Sequence, residues 1–242
     1  MTFSPCIVVP ARQAERSLGE VLGGLARALP DVPPAAVLVV VDGPGDGTAR
    51  EAARHGATVV LHEENRGKGA ALRTGLLEAA ARGYDVALSV DADGQHPAES
   101  ARIVLDASPD PTALVLGVRD LVRDGAPRAN QISNGISNAF LSAFSGTKLA
   151  DTQCGLRRYP VRETLALGVR ATGYAFEAEV ILRAIAAGFP LVEVGTKVHY
   201  PPEHERVTYF HSVKDPTRIV GTVVSTVLAL RAAKLASWAF AR

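Results

Sequence analysis

The chain has 242 residues, enough for one large domain or two small ones, and 47% hydrophobic against 21% charged residues excludes wholesale disorder. Its 26 Lys and Arg against 25 Asp and Glu leave a formal net charge of +1 at pH 7, which excludes the overall basic field that drives nucleic-acid binding. The two cysteines, Cys6 and Cys154, form no CxxC pair, so a disulfide scaffold, a zinc ribbon and a dithiol redox site are set aside and a reducing compartment is the default.

In chain order, Cys6 to Val9 and Val37 to Val41 are continuous β-branched runs of the kind that buried strands use, and between them Leu18, Val21, Leu22, Leu25 and Leu29 mark one face of a helix. Thr48 caps a short helix ending near Gly56, and Thr58 to Leu61 is a third strand. Leu72, Leu76 and Ala80 mark a helix that stops at Gly83; Asp85 to Val90 is a fourth strand, a helix follows from about Pro97, and Ala113 to Leu116 is a fifth strand. Strands alternating with helices predict a largely parallel α/β sheet, whose ligands sit beyond the carboxyl ends of the strands. The second half predicts a helix from Ile132 to Phe144, the segment ADTQCGLRRYP, an amphipathic helix from Phe176 to Ala187 and an extended run from Leu191 to Tyr200. A polar loop, Pro201 to Lys214, then leads to a C-terminal helix starting near Pro216. No basic-then-apolar leader opens the sequence. The longest apolar stretch, Ile219 to Leu230, is interrupted by Gly221, Thr222, Ser225 and Thr226 and falls short of the ~20 residues that a spanning helix needs. The expectation is a cytoplasmic protein, at most peripheral to a membrane.

Three motifs follow strands. In SVDADGQHP, Asp91 and Asp93 are two carboxylates one residue apart, able to face a divalent cation held on a diphosphate; a capped turn is the alternative, and His96 suits the entry of the next helix. In VVVDGPGDGT, Asp42 ends the second strand ahead of a Gly-rich turn, an arrangement that suits either a ribose or base contact or a plain strand-to-helix turn. In ENRGKGAALRTG, Gly67 and Gly69 permit tight backbone geometry and Lys68 sets an ammonium beside a helix N-terminus, without P-loop or GxGxxG spacing.

These motifs, with VVPA at the first strand, GVRD, ADTQCGLRR and GYAFEAEVILRA, resemble in order the family 2 glycosyltransferases of GT-A fold. Within them the nearest resemblance is to the branch of dolichyl-phosphate mannosyltransferase and bacterial polyprenyl-phosphate glycosyltransferases. It implies a single domain over 1–242: a nucleotide-sugar half, 1–118, an acceptor-side half, 119–215, and a C-terminal amphipathic helix, 216–242. It implies that Pro10, Ala11, Asp42, Lys68, Gly69, Asp91, Ala92, Asp93, Gln95, Arg157 and Lys214 bind the nucleotide diphosphate sugar, and that Asp91 and Asp93 carry Mg2+ or Mn2+. The implied catalytic set is Asp91, Asp93, Arg119, Asp151, Glu177 and Arg206, with Arg119 toward the acceptor. Gln153 shares the acceptor-side loop with Asp151. The sequence departs from the family pattern where Arg12 replaces an aromatic residue, Ala14 an acid and Val41 one of two paired aspartates, and a GDP-sugar and a UDP-sugar both stay open.

The expected activity is inverting, metal-dependent transfer of a hexose to a lipid-linked phosphate such as polyprenyl phosphate. A hydroxyl acceptor, with Asp151, Glu177 or Glu179 as base, and a non-catalytic nucleotide-sugar-binding protein are the rivals. Glu177 and Glu179 lie about 200° apart around their helix, so one of them reaches the site. Arg206, Thr208, His211 and Lys214 belong to a basic loop suited to closing over phosphate. The C-terminal helix, with Val220, Val223, Val224, Val227, Leu228, Leu235 and Trp238 beside Arg218, Arg231, Lys234 and Arg242, fits a membrane surface, the protein's own core or a homodimer.

Overall fold

Uncharged apolar runs bury from both faces and therefore take the centre of a sheet. In the computed structural model, which describes residues 3–200 and 214–240, strands Pro5–Ala11 (β1), Val37–Asp42 (β2), Thr58–His62 (β3) and Val86–Ser89 (β4) lie parallel, with β1 between β2 and β4. Leu114–Arg119 (β5), Arg157–Pro160 (β6) and Leu191–Thr196 (β7) complete the order β3-β2-β1-β4-β6-β5-β7. β6 is antiparallel to both neighbours. The helices are Leu18–Ala28 (α1), Thr48–Arg54 (α2), Lys68–Ala81 (α3), Ala98–Asp106 (α4), Arg128–Ser145 (α5), Val161–Ala166 (α6), Ala175–Ala186 (α7) and Lys214–Phe240 (α8).

The core joins β1, β2, β4 and β5 to the apolar faces of α1, α3, α4 and α7, including Ile7, Leu22, Leu38, Leu72, Leu88, Val104, Leu116 and Ile181. The parallel expectation holds for β1 to β5 and for β7. Strand β6 and helix α6 were not expected. β6 reads RRYP, and both of its arginines are buried and donate to main-chain carbonyls. α5 begins at Arg128 rather than near Ile132, since Pro127 takes an extended conformation at its N-cap and fits just ahead of a first turn.

Helix α8 rests on α7 through Val223 and Val227, both buried, whereas Val220, Val224 and Leu228 are exposed. Its first half therefore builds the core, which for Val223 and Val227 is the alternative of packing on the protein itself. The side chains of Lys234, Leu235 and Trp238 lie outside the described residues. Among the described residues no helix is long and apolar enough to cross a membrane.

Candidate active site

β1, β2, β4 and β5 all end at one edge of the sheet, and β6, running the other way, begins there with Arg157 opposite Ser89. This brings the segments after β4, before β6 and after β5 together. Ser89 Oγ donates to the Gly155 carbonyl at 2.6 Å, and the Gly117 amide donates to the Leu156 carbonyl at 3.0 Å. Asp91, two residues beyond β4, stands where the N-termini of α3 and α7 converge. Lys68 Nζ, at the start of α3, lies 2.7 Å from Asp91 Oδ1 and 3.3 Å from Glu177 Oε1, at the start of α7.

Burial alone would push Asp91 up and Lys68 down. The pair outweighs it: Lys68 holds Asp91 below the usual carboxylate range, and Asp91 with Glu177 holds the ammonium charged. Asp93 sits at the solvent rim, and its carboxyl goes up, first because protein crowds it and then because the Asp91 charge repels it. Two hard carboxylates that repel each other fit a divalent cation. Among the described residues no group of three or more His, Cys, Asp and Glu is arranged for a metal, so these two suit an ion that completes its shell with phosphate oxygens and water.

Two glycines make this closeness feasible. A Cβ at Gly155 would collide with Asp91 Oδ2 and stand 2.8 Å from Lys68 Nζ. At Gly69 it would collide with Phe176 Cβ and stand 2.6 Å from the Gly173 carbonyl, so α3 and α7 meet only because residue 69 has no side chain.

The second group centres on Asp151, which is fully buried. It accepts from Arg119 Nε at 2.7 Å and Nη2 at 3.0 Å, and from the Gln153 and Cys154 amides at 3.1 Å each. Burial pushes its carboxyl up, but Arg119 prevails and keeps it below the usual range. Arg119 borders a cleft of about 990 Å³ whose lining also includes Val118, Val122, Ile103, Gln131 and Asn138; Asp91, Lys68 and Glu177 stand outside that lining. His96 stands behind Cys154, Nε2 to Sγ 3.9 Å, and burial lowers its pKa while raising the Cys154 thiol to about 11. A neutral thiol at such depth is a packing group.

Other sequence candidates have different positions. Asp42 is buried and committed: Oδ1 accepts from the Arg66 amide at 2.8 Å and faces His62 Nδ1 at 2.8 Å, and Oδ2 accepts from the Gly67 amide at 2.8 Å. These bonds make it the anchor of the NRGKG loop. His62 and Thr74, 2.9 Å apart, were missed; the parallel register that sets Asp42 opposite His62 is the signal that could have found them.

Arg157 is likewise committed to the main chain. Its side chain is fully buried and donates to the carbonyls of Cys154 at 2.7 Å, Glu177 at 3.0 Å and Thr152 at 2.8 Å, tying the segment before β6 to the start of α7. Glu179 accepts from Arg183 at 2.6 Å and from the Arg170 and Ala171 amides, so of the two glutamates Glu177 is the one beside the site. Pro10 and Ala11 end β1 beside β2, and the chain then turns through Gln13, whose φ of 47° is strained for a non-glycine residue. The Ala92 carbonyl accepts from Ser17 Oγ at 2.6 Å, and the Gln95 amide donates to Asp93 Oδ1 at 3.0 Å. Arg206, Thr208 and His211 lie outside the described residues, as does the side chain of Lys214, whose backbone opens α8.

A family model described as Glycosyl transferase family 2 matches residues 6–164. The chain is 32% identical over 201 residues to a polyprenol monophosphomannose synthase of Mycolicibacterium smegmatis, covering 78% of this chain and 74% of the relative. It is 29% identical to an undecaprenyl-phosphate mannosyltransferase of Micrococcus luteus, with 77% and 80% covered. Among solved structures it resembles Mycobacterium tuberculosis glucosyl-3-phosphoglycerate synthase in complex with Mn2+, UDP and phosphoglyceric acid, at a TM-score of 0.70 and 20% identity, over 95% of this chain and 78% of that one. Mannosyl-3-phosphoglycerate synthase from Rubrobacter xylanophilus has a TM-score of 0.67 and 22% identity, over 96% and 75%. The architecture is that of the GT-A glycosyltransferases.

Proposed function

The chain belongs to glycosyl transferase family 2 and is a glycosyltransferase, and from that premise we propose that it moves a hexose from a nucleotide diphosphate sugar to a lipid-linked phosphate such as polyprenyl phosphate, inverting the anomeric centre. The names of the two relatives support this acceptor class. The observation that carries the reading is the state of the acidic groups. Asp151 is held by Arg119 and two amides, and Glu177 is paired with Lys68, so neither is poised as a base. A hydroxyl acceptor needs a base; a phosphate oxygen, already anionic at neutral pH, needs a cation to steer it. Arg119 at the edge of the cleft supplies one.

In this reading Asp91 and Asp93 hold Mg2+ or Mn2+, which supplies positive charge to the departing diphosphate. Lys68, fixed between Asp91 and Glu177, lies where an ammonium stabilises the same charge, in a setting formed before substrate arrives. The Asp42 anchor keeps the Arg66–Gly69 loop in place to receive the donor. GDP- and UDP-sugars are both compatible with these residues.

The test is transfer by the purified chain, with Mg2+ or Mn2+ and a panel of UDP- and GDP-sugars, to polyprenyl phosphate and to the corresponding polyprenol. Product from the phosphate alone is the expected result. Equal transfer to the alcohol would overturn the phosphate-acceptor reading, and donor binding without transfer to any acceptor would favour a non-catalytic role.

A further inference from the structure

β3 is an outermost strand of the sheet, and its first four residues are partly or largely exposed, yet His62 at its end is 6% exposed. An imidazole takes two polar nitrogens into that burial, which is costly unless both find partners. Both do: Nδ1 lies 2.8 Å from Asp42 Oδ1 and Nε2 lies 2.9 Å from Thr74 Oγ1. A carboxylate can only accept, so Nδ1 carries the proton shared with Asp42. Nε2 accepts from the hydroxyl on a neutral ring and donates to it on a charged one, so both contacts persist in either state.

The two ends of this relay close on one segment of chain. Asp42 takes the amides of Arg66 and Gly67, directly ahead of Lys68, and Thr74 stands six residues after Lys68 on α3. His62 thus holds the start of α3 on both sides of Lys68. The loop has little room to settle elsewhere. A Cβ at Gly43 would stand 2.8 Å from the Asn65 nitrogen, and one at Gly67, where φ is +89°, would stand 3.0 Å from the Gly173 nitrogen. Lys68 Nζ is the group so placed, between Asp91 Oδ1 at 2.7 Å and Glu177 Oε1 at 3.3 Å. A histidine that served packing alone would be satisfied by any two partners; these two bracket the ammonium of the donor site.

We propose that His62, oriented by Thr74, is a positioning residue for donor binding: it fixes Asp42 on the Arg66 and Gly67 amides and thereby sets Lys68 where the donor diphosphate is received. The inference rests on the nucleotide-sugar reading of that site. It is independent of the acceptor, so donor affinity alone can test it.

The experiment is calorimetric titration of the full chain with the panel of UDP- and GDP-sugars in Mn2+, followed by transfer to polyprenyl phosphate at varied donor and acceptor concentrations. The variants are His62→Asn, His62→Gln, Thr74→Val and, as a control for lost stability, Leu25→Ala in the buried face of α1. An asparagine amide reaches as far as the ring's Nδ1 and a glutamine amide as far as its Nε2. The first therefore keeps the bond to Asp42, and the second keeps only the contact with Thr74.

Donor affinity should fall about threefold in His62→Asn and in Thr74→Val, and about tenfold or more in His62→Gln. Donor KM should rise in the same order while acceptor KM stays at the parent's value. Leu25→Ala should melt lower yet keep both KM values, because a smaller folded fraction lowers only the apparent kcat. Donor affinity equal to the parent's in all three relay variants overturns the inference and makes His62 a core residue. A His62→Asn protein as weak as His62→Gln, or donor and acceptor KM rising together, also overturns it. A parent that binds no UDP- or GDP-sugar overturns the functional reading and the inference with it. Donor binding without transfer overturns the acceptor reading alone, and the order of affinities still decides for or against His62.

Discussion

Asp93 and Asp151 are both acidic, yet their environments set them against each other. Asp151 is stabilised as the anion by Arg119, so its contribution to stability is present above the unfolded carboxylate pKa of about 3.9 and is lost as pH falls through its lower folded value. Asp93 has the opposite sign. Its raised folded pKa means that the ionised carboxylate costs stability at neutral pH, a cost relieved as pH falls through that raised value. Without metal, Asp93→Asn should therefore melt higher than the parent at neutral pH, and the difference should shrink on acidification. With Mn2+ and donor, the same variant should lose on the order of 10²-fold or more in kcat. Thermal melts across pH and a donor-consumption assay check the two halves separately; full activity would remove Asp93 from the metal site. Asp151→Ala leaves the Arg119 guanidinium without its partner and should cost about 3–5 kcal/mol, a fall in Tm of roughly 6–20 °C. A melt within a degree or two of the parent's would mean that the pair contributes little.

At the scale of elements, the periodic pattern made β1 to β5 and most helices legible. Their apolar residues face a core on one or two sides, and that repeats in sequence. β6 does not repeat: Arg157 and Arg158 look like solvent-facing residues until the carbonyls that receive them are known, and those come from residues as distant as Leu105 and Glu177. The site was legible to a similar limit. Asp91, Asp93 and Lys68 follow strands or open helices, whereas the commitment of Asp42 and Arg157 to the backbone depends on contacts across the fold that no spacing reveals. The α3–α7 junction likewise shows in sequence only as a glycine. Gly69→Ala should force Phe176 and the Gly173 carbonyl away, costing about 1–3 kcal/mol and moving Lys68 off Asp91 and Glu177. Donor affinity, measured by calorimetry, should fall about tenfold or more. Gly23→Ala in α1, where the added carbon meets only an arginine tip at 3.6 Å, should instead gain about 0.5–1 kcal/mol and leave donor affinity unchanged. Equal behaviour of the two variants would sink the junction argument.

Across the whole molecule, the same elements that bury the core also aim the site, and α8 joins the two. Its Val223 and Val227 cover α7, the helix whose first turn carries Glu177 to Lys68. A valine fully buried contributes about 1.5–3 kcal/mol. Losing both therefore removes about 3–6 kcal/mol, a Tm fall on the order of 10 °C for a chain of this size. A chain ending before Val220 should accordingly melt well below the parent and bind donor weakly even with no membrane present. Leu228→Ser, which changes only an exposed position of the same helix, should keep the parent's Tm and donor affinity. Calorimetric melts and nucleotide titrations of these two proteins separate the readings of α8. If the shortened chain were as stable and as competent for donor as the parent, α8 would be an appendage whose role lies outside the domain; a large loss in both would make it part of the core that holds α7 and Glu177 in place.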